Sequence, residues 1–164
     1  MSGGGTQQTW ALLAAAAGLV LIGSMFLEWY TLELPEGIRE PRADLPTFTG
    51  FEGLRRADVA IVVAAVLAIV IAVAVAAGML ASSPALGVAL AAVSLLALAV
   101  VVYRGVISPP GLVILGADFD MNVSFGWFVS LVASLVMVVT GALVYLAGPR
   151  LEFEAGEQAP PREE

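Results

Sequence analysis

Four long stretches of the chain contain almost only apolar residues, and polar residues collect between them. The apolar stretches cover residues 10–27, 59–80, 85–103 and 125–147, and none contains a charged side chain. A helix needs roughly 17–25 apolar residues to cross a hydrocarbon core about 30 Å thick. Because lipid offers no partners for backbone N–H and C=O groups, uninterrupted stretches of this length must be helical. The pattern predicts an all-α membrane protein with a four-helix transmembrane bundle.

The connections between these stretches differ greatly in length. Residues 28–58 and 104–124 are long, whereas residues 81–84 allow only a tight turn, with Ser82 or Ser83 as helix cap and Pro84 in the first turn. Four crossings bring both long connections to one face and both termini to the other. We therefore expect an N-terminal tail over residues 1–9, a transmembrane domain over residues 10–148 and a disordered acidic tail over residues 149–164.

The long connections contain short patterns that are typical of β-strands. Residues 29–34, 47–53 and 111–116 predict three strands that form a small sheet over one end of the bundle. Aromatic residues lie in these strands and at the adjoining helix ends, where a belt at headgroup depth is expected. The candidates for this belt are Trp29, Tyr30, Tyr103 and Trp127, together with Phe48, Phe51 and Phe125.

Small residues recur at helical spacing within the apolar stretches. Since lipid provides no hydrophobic drive between helices, such rows favour close helix packing inside a bundle. An alanine-rich composition also produces such spacings by coincidence, and this alternative stays open. The rows comprise Ala60, Ala64, Ala68, Ala72 and Ala76 in the second helix, Gly126, Ser130 and Ser134 in the fourth, and the pairs Ala14 with Gly18 and Gly87 with Ala91.

Polar side chains inside the apolar stretches are hydroxyl groups, with no carboxylate or basic group among them. Intramembrane charges mark ion pathways and proton relays, so a proton-coupled transporter or a voltage sensor built from this chain alone is disfavoured. We interpret the hydroxyls as groups that bond to the backbone or between helices. They are Ser24, Ser94, Ser130, Ser134 and Thr140.

Two opposite charges border the second and third helices at the face that carries the long connections. Asp58 precedes the second apolar stretch and Arg104 follows the third, and each complements the dipole of its helix. We expect a structural ion pair between Asp58 and Arg104. The alternative is that each side chain reaches separately to the membrane surface, and Arg55 and Arg56 compete as partners for Asp58.

Composition excludes several kinds of chemistry. The chain is 60% hydrophobic and 13% charged, with neither cysteine nor histidine, so we expect no catalytic site, no cofactor and no metal centre of the usual kinds. The net charge of −7 disfavours nucleic acid as a partner. Asp118, Asp120 and Asn122 have the first ligand spacings of a calcium loop, but Val123 replaces the required glycine, so we interpret the motif as a solvated acidic turn.

Four motifs resemble those of small uncharacterised four-helix membrane proteins of actinobacteria. The motifs are MFLEWY, GFEGLRRADV, VYRGVISPPG and GWFVSLVASLVMVVTGAL. The resemblance covers nearly the whole chain and implies the same fold without implying an activity. A looser resemblance to claudin-type proteins rests on architecture alone, because this chain lacks the cysteines of their loop disulfide.

The orientation signals conflict. Five of the seven arginines lie on the side of the long connections, which would place that side in the cytoplasm. The same side carries nine acidic residues and the predicted sheet, and the resembling proteins commonly have a cytoplasmic N-terminus. We expect a multi-pass protein of the bacterial plasma membrane with both termini inside. Residues 1–9 contain no Lys or Arg, so we expect the first helix to be retained rather than cleaved as a signal peptide.

These features predict a structural or accessory membrane protein rather than an enzyme. Its expected partners are the lipid bilayer and other membrane proteins or further copies of the chain. The alternative is a component of an oligomeric channel or small transporter, in which several chains build a pathway that one chain lacks.

Overall fold

The structure, a computed structural model, describes residues 3–32, 47–54, 56–78, 84–107, 112–114, 117–119 and 121–147. Within these ranges it leaves out the side chains of residues 3–4, 53–54, 56–58, 84, 112–114 and 117–119. The helices are α1 (Gly3–Ser24), α2 (Gly50–Leu54), α3 (Arg56–Ala76), α4 (Pro84–Val102) and α5 (Phe125–Ala147), and a π-helical turn follows α4 at Tyr103–Ile107. The strands are β1 (Glu28–Leu32), β2 (Thr47–Thr49), β3 (Leu112–Ile114), β4 (Ala117–Phe119) and β5 (Met121–Val123).

Four helices within the described residues are long and apolar enough to cross a membrane, as predicted. The bounds of α4 and α5 agree with the apolar pattern to within a residue or two. Helix α1 covers Gly3–Ser24 rather than residues 10–27, since no proline interrupts the polar segment before residue 10. Within that segment Thr9 Oγ1 donates to the Gly5 carbonyl at 2.9 Å. Helix α3 ends at Ala76 rather than at residue 80, since Gly78 adopts a left-handed φ of 65° that stops the helix.

The four long helices form a closed ring in the order α1, α3, α4, α5. Neighbours in the ring run antiparallel: Ser24 at the end of α1 contacts Ser130 near the start of α5, and Gly87 near the start of α4 lies against Tyr145 near the end of α5. The carboxyl ends of α1 and α4 therefore meet the amino ends of α3 and α5. We call this the capped end of the bundle.

A three-stranded antiparallel sheet in the order β2, β1, β5 lies at the capped end. The third strand of this sheet is not the one that the sequence predicts. The predicted strand at 111–116 is present as β3, but it pairs with β4 in a separate hairpin, and β5 takes its place beside β1. Strand β5 directly precedes α5 and is therefore held next to the end of α1. The sequence pattern did not reveal this neighbourhood.

The segment 47–53, predicted as one strand, is divided between β2 and the short helix α2. The division lies at a capping box in which Thr49 and Glu52 bond to each other's backbone N–H groups, with Thr49 N to Glu52 Oε2 at 3.0 Å and Glu52 N to Thr49 Oγ1 at 3.4 Å. These bonds satisfy the first N–H groups of a helix and favour helix over strand from Gly50 onward. They also lower the pKa of Glu52, because they stabilise its charged form.

Candidate functional site

The capped end brings together most of the chain's described aromatic and polar contacts. It joins the sheet to the bundle through side chains that donate to backbone carbonyls at the ends of α1 and α4. The last carbonyls of a helix have no partners within the helix, so they need donors from elsewhere when they are buried. Three aromatic residues supply these donors: Trp29, Tyr30 and Trp127.

Trp29 connects β1 to the end of α1. Its side chain is fully buried and Nε1 donates to the Ser24 carbonyl at 2.8 Å, while the Trp29 carbonyl accepts from Ser124 N at 2.7 Å. The indole fits between two glycines, because a Cβ on Gly50 would lie 2.9 Å from Nε1 and a Cβ on Gly126 would lie 2.8 Å from Cδ1. The approach of α2 and α5 to Trp29 therefore requires glycine at both positions.

The end of α4 is closed in a similar way by donors from two other elements. Trp127 Nε1 donates to the Val101 carbonyl at 2.9 Å, and the Tyr30 hydroxyl donates to the Arg104 carbonyl at 3.3 Å. Here the helix widens into the π-helical turn, and Gly105 lies directly against the Trp127 indole, where a Cβ would overlap it. The widened turn thus accommodates a large ring and presents its carbonyls to Tyr30 and Trp127.

Tyr30 is a titratable group of the capped end whose acidity is changed by burial. Burial raises the pKa of the Tyr30 hydroxyl to about 12, and the positive charge of Arg104 acts in the opposite direction. The hydroxyl is therefore a neutral donor at physiological pH. Its role is to hold β1 against the π-helical turn.

The two residues of the expected ion pair, Asp58 and Arg104, lie at the ends of neighbouring helices. Asp58 lies in the first turn of α3 and Arg104 lies in the turn that ends α4, so both backbones are at the capped end. The Arg104 side chain is half-buried. The Asp58 side chain lies outside the described residues, and the pair stays a prediction.

Within the described part of the chain, each buried serine or threonine hydroxyl bonds to the backbone of its own helix. Ser94 donates to the Leu90 carbonyl at 2.7 Å and Thr140 to the Val136 carbonyl at 2.7 Å, and Ser134 bonds to the Ser130 carbonyl in the same way. Ser24 and Ser130 also bond to each other, with their hydroxyl oxygens 2.6 Å apart. This interhelical bond joins α1 to α5 directly beneath the sheet.

The rows of small residues lie in the bundle core over most of their length. In α3, Ala64, Ala68 and Ala72 are buried, Ala76 is half-buried and Ala60 is exposed. In α5, Gly126, Ser130 and Ser134 are all buried. Gly18 of α1 lies against Ile69, and Gly87 and Gly141 join α4 to α5 at Tyr145 and Ala91.

The aromatic residues expected in a belt have different environments. Trp29 and Tyr30 are fully buried and Trp127 is 7% exposed, whereas Tyr103 is 49% exposed. The first three are therefore part of the protein interior, because their polar atoms are needed at the helix ends. Two other belt candidates are exposed, Phe51 at 38% and Phe125 at 71%, and Phe51 packs edge-to-face on the exposed Phe26 with ring centroids 5.0 Å apart.

The acidic motif lies only partly within the described residues. Asp118 lies in β4 and Asn122 lies exposed in β5, opposite Thr31 of β1. The side chain of Asp118 and the whole of Asp120 lie outside the described residues. Among the described side chains, no cluster of three or more His, Cys, Asp or Glu could hold a metal ion.

At the capped end, two described hydroxyl groups donate to carboxylates, Thr47 Oγ1 to Glu28 Oε1 and Thr49 Oγ1 to Glu52 Oε2, each at 3.1 Å and each exposed rather than enclosed in a cleft. Sequence reasoning missed the donor roles of Trp29, Tyr30 and Trp127, and a signal for two of them was available. An aromatic donor placed five residues after a helix end, or at the start of the next span, can reach the carbonyls that the helix leaves open. Comparisons of the chain with family models, curated proteins and solved structures find no match.

Proposed function

We propose that the chain is a multi-pass protein of the bacterial plasma membrane with a structural or accessory role. The bundle crosses the bilayer, and the sheet offers a rigid polar surface to another membrane protein or to a further copy of the chain. It works without a catalytic step. The observation that carries this proposal is the capped end, where buried indole and phenol groups tie the sheet to the helix ends.

The distribution of apolar side chains supports insertion into a membrane. Water-soluble proteins rarely expose continuous apolar surfaces larger than a few hundred Å². Here all four long helices expose large aliphatic or aromatic side chains along their outer faces, while their inner faces carry alanine, glycine and serine together with larger side chains such as Leu21, Ile61 and Met137. Hydrocarbon is the solvent that suits such a surface. Examples of the exposed side chains are Leu12, Val63, Val70, Leu95, Val132 and Val139.

The polar face of the sheet supports a role in binding. Glu28, Thr47 and Asn122 are exposed at its three strands, and Thr47 Oγ1 donates to Glu28 Oε1 at 3.1 Å. Since β1 is fixed to the ends of two helices, this face keeps one orientation relative to the bundle. A preordered surface loses little conformational entropy when a partner binds.

Co-purification tests the proposal. The tagged chain is expected to sediment with membranes, to resist extraction by alkaline carbonate and to retain a partner in mild detergent. Asn122→Arg, on the exposed sheet face, should release the partner, whereas Gln8→Arg, exposed at the opposite end of the bundle, should not. Recovery of the chain in the soluble fraction would contradict the proposal.

Flux through liposomes separates the proposal from its main alternative. Liposomes that contain the purified chain are expected to leak ions and small solutes no faster than empty liposomes. A flux that grows with the number of chains per liposome would instead support a component of an oligomeric channel or transporter.

The proposed orientation places both termini in the cytoplasm and the sheet outside. The chain contains no cysteine, so Thr47→Cys introduces a single thiol at an exposed position of β2. A membrane-impermeant maleimide should label it in intact cells. Gln8→Cys is the matched control and should be labelled only after lysis. The reverse pattern would place the sheet in the cytoplasm. The resemblance to actinobacterial four-helix proteins remains a hypothesis that agrees with this arrangement.

A further inference from the structure

Exposed apolar side chains form a collar around the capped end of the bundle. Each of the four long helices contributes to it at or next to the end that meets the sheet. The most exposed member on each side of the ring is Phe26 beside α1 at 68%, Val59 in α3 at 61%, Ile107 after α4 at 70% and Phe125 in α5 at 71%. The other members are Leu27, Phe51, Tyr103, Val106 and Phe128. The collar therefore presents large apolar side chains in every direction around the bundle.

Contacts between antiparallel helices place members of the collar at one level. The hydroxyl groups of Ser24 in α1 and Ser130 in α5 are in contact. Phe26 and Phe128 each lie two residues from this contact towards the capped end. Because residues on antiparallel neighbours rise by similar amounts, the two aromatic rings lie level with each other. The collar is thus a ring across the bundle rather than a stripe along one helix.

The collar includes two segments that do not belong to the long helices. The apolar part of α4 continues through the π-helical turn to Ile107, and both Val106 and Ile107 are exposed there. On another side, the short helix α2 contributes Phe51, which packs on Phe26. The apolar surface therefore reaches past Tyr103, where the third apolar stretch of the sequence ends.

A second group of aromatic side chains lies at the opposite end of the bundle. Tyr145 near the end of α5 is exposed, and Trp10 of α1 is partly exposed. Phe125 and Tyr145 lie about 30 Å apart along α5, at about 1.5 Å per residue. The hydrocarbon core of a bilayer is also about 30 Å thick. The exposed polar residues Gln8 and Glu28 come just beyond the two levels.

The closed shape of the collar distinguishes a bilayer from a protein partner. A second copy of the chain, or a helix of another protein, packs against one side of a bundle and leaves the other sides uncovered. A bilayer surrounds all sides at once. Aromatic side chains also favour the boundary between hydrocarbon and headgroups, where they meet apolar and polar surroundings together.

We propose that the collar lies at the boundary between the hydrocarbon and the headgroups of a phospholipid bilayer and fixes the depth of the bundle. The inference rests on the proposed function, since it requires the bundle to cross a bilayer. The π-helical turn and α2 are then immersed in the membrane, and the sheet lies just outside it. Arg104, in the same turn, is at a depth where an arginine side chain reaches phosphate groups.

Electron paramagnetic resonance of single spin labels tests this depth. The chain contains no cysteine, so each substitution introduces one labelling site. The full chain with Phe26→Cys, Val59→Cys, Ile107→Cys or Phe125→Cys is labelled and placed in vesicles of dioleoylphosphatidylcholine and dioleoylphosphatidylglycerol. The depth of each label follows from its collisions with oxygen, which concentrates in hydrocarbon, and with a nickel chelate, which stays in water. The four labels should lie within about 5 Å of one depth, which is one helical turn.

Val70→Cys and Thr47→Cys are the matched controls, because both positions are exposed, one along α3 and one in the sheet. Val70 lies about 16 Å from Val59 along α3, so its label should be about 16 Å deeper than the Val59 label. The label at Thr47 should collide with the nickel chelate as a label in water does.

The inference is overturned if the collar labels meet the nickel chelate as often as the Thr47 label. It is also overturned if the labels on one side of the ring lose collisions with both reagents, because a protein partner then covers that side. In either case a Val70 label that oxygen reaches and the chelate does not still supports a bundle that crosses the bilayer. A Val70 label that the chelate reaches freely rejects both the collar and the proposed function.

Discussion

Replacement of Gly87 by alanine tests whether close backbone approach holds α4 against α5. Gly87 is buried in α4, and a Cβ placed on it would lie 2.6 Å from the Cα and 2.8 Å from the backbone nitrogen of Tyr145. Backbone atoms cannot rotate away as the tip of a flexible side chain can. The two helices must therefore move apart, and the contacts beside Gly87 are loosened.

The expected cost follows from a comparison with a second helical glycine. Gly23 of α1 has nothing within 4 Å of an added Cβ, so Gly23→Ala changes only the intrinsic helix propensity. Overpacking of a well-packed site typically costs about 1–3 kcal/mol. Since both substitutions gain similar helix propensity, Gly87→Ala should have a free energy of unfolding about 1–3 kcal/mol below that of Gly23→Ala.

Thermal unfolding in detergent micelles provides the measurement, followed by circular dichroism at 222 nm. For a chain of this size, about 1 kcal/mol corresponds to a few degrees in Tm. Gly87→Ala should therefore melt several degrees below Gly23→Ala. Equal midpoints for the two variants would refute the packing of α4 on α5 at Gly87. If the Tm of Gly23→Ala also fell below that of the unchanged chain by the same amount, the loss in Gly87→Ala would have a cause other than packing.

Two further predictions concern the capped end. A double-mutant cycle of Ser24→Ala and Ser130→Ala, measured by unfolding in detergent, should give a coupling free energy of about 0.6 kcal/mol, which is the average for interhelical bonds in membranes. Additive effects of the two substitutions would show that the 2.6 Å contact between the two hydroxyl groups contributes nothing to stability. The pKa of the Tyr30 hydroxyl is raised to about 12 in the folded chain, so the unfolded chain loses the hydroxyl proton at a lower pH than the folded chain. The free energy of unfolding should therefore fall as pH rises from about 10 to about 12. Tyr30→Phe should lack the Tyr30 part of this alkaline loss, and an identical pH profile for the two proteins would contradict the burial of the hydroxyl.

The exposed and buried faces of α3 illustrate how far the sequence pattern reaches. The row Ala64, Ala68 and Ala72 has the spacing of a helix face, and these residues are buried, while Val63 and Val70 are exposed. In an all-apolar helix, hydrophobicity cannot distinguish inner from outer faces, whereas residue size distinguishes them in part, since small residues permit close packing. Size predicts the wrong face at Ala60, which is exposed, and at Ile61, which is fully buried, because burial also depends on what packs against each position.

The aromatic residues show where local patterns mislead. Trp and Tyr near the ends of apolar stretches indicate an interfacial belt, and the same residues are also suited to cap helix ends in the interior. Trp29 and Trp127 cap helix ends in the interior. A tryptophan can do so only where a helix end with unbonded carbonyls lies within hydrogen-bond distance, and this distance is set by the packing of other elements.

The sequence by itself determined the number of long helices, their approximate bounds and the presence of short strands in the connections. These features depend on interactions between residues close in the chain: apolar length, backbone bonding within a helix and local alternation. The tertiary structure decided the order of helices in the ring, the place of β5 beside β1, and the interior positions of Trp29 and Tyr30. Those features depend on contacts between residues as far apart as Ser24 and Ser130, for which no local pattern provides a signal.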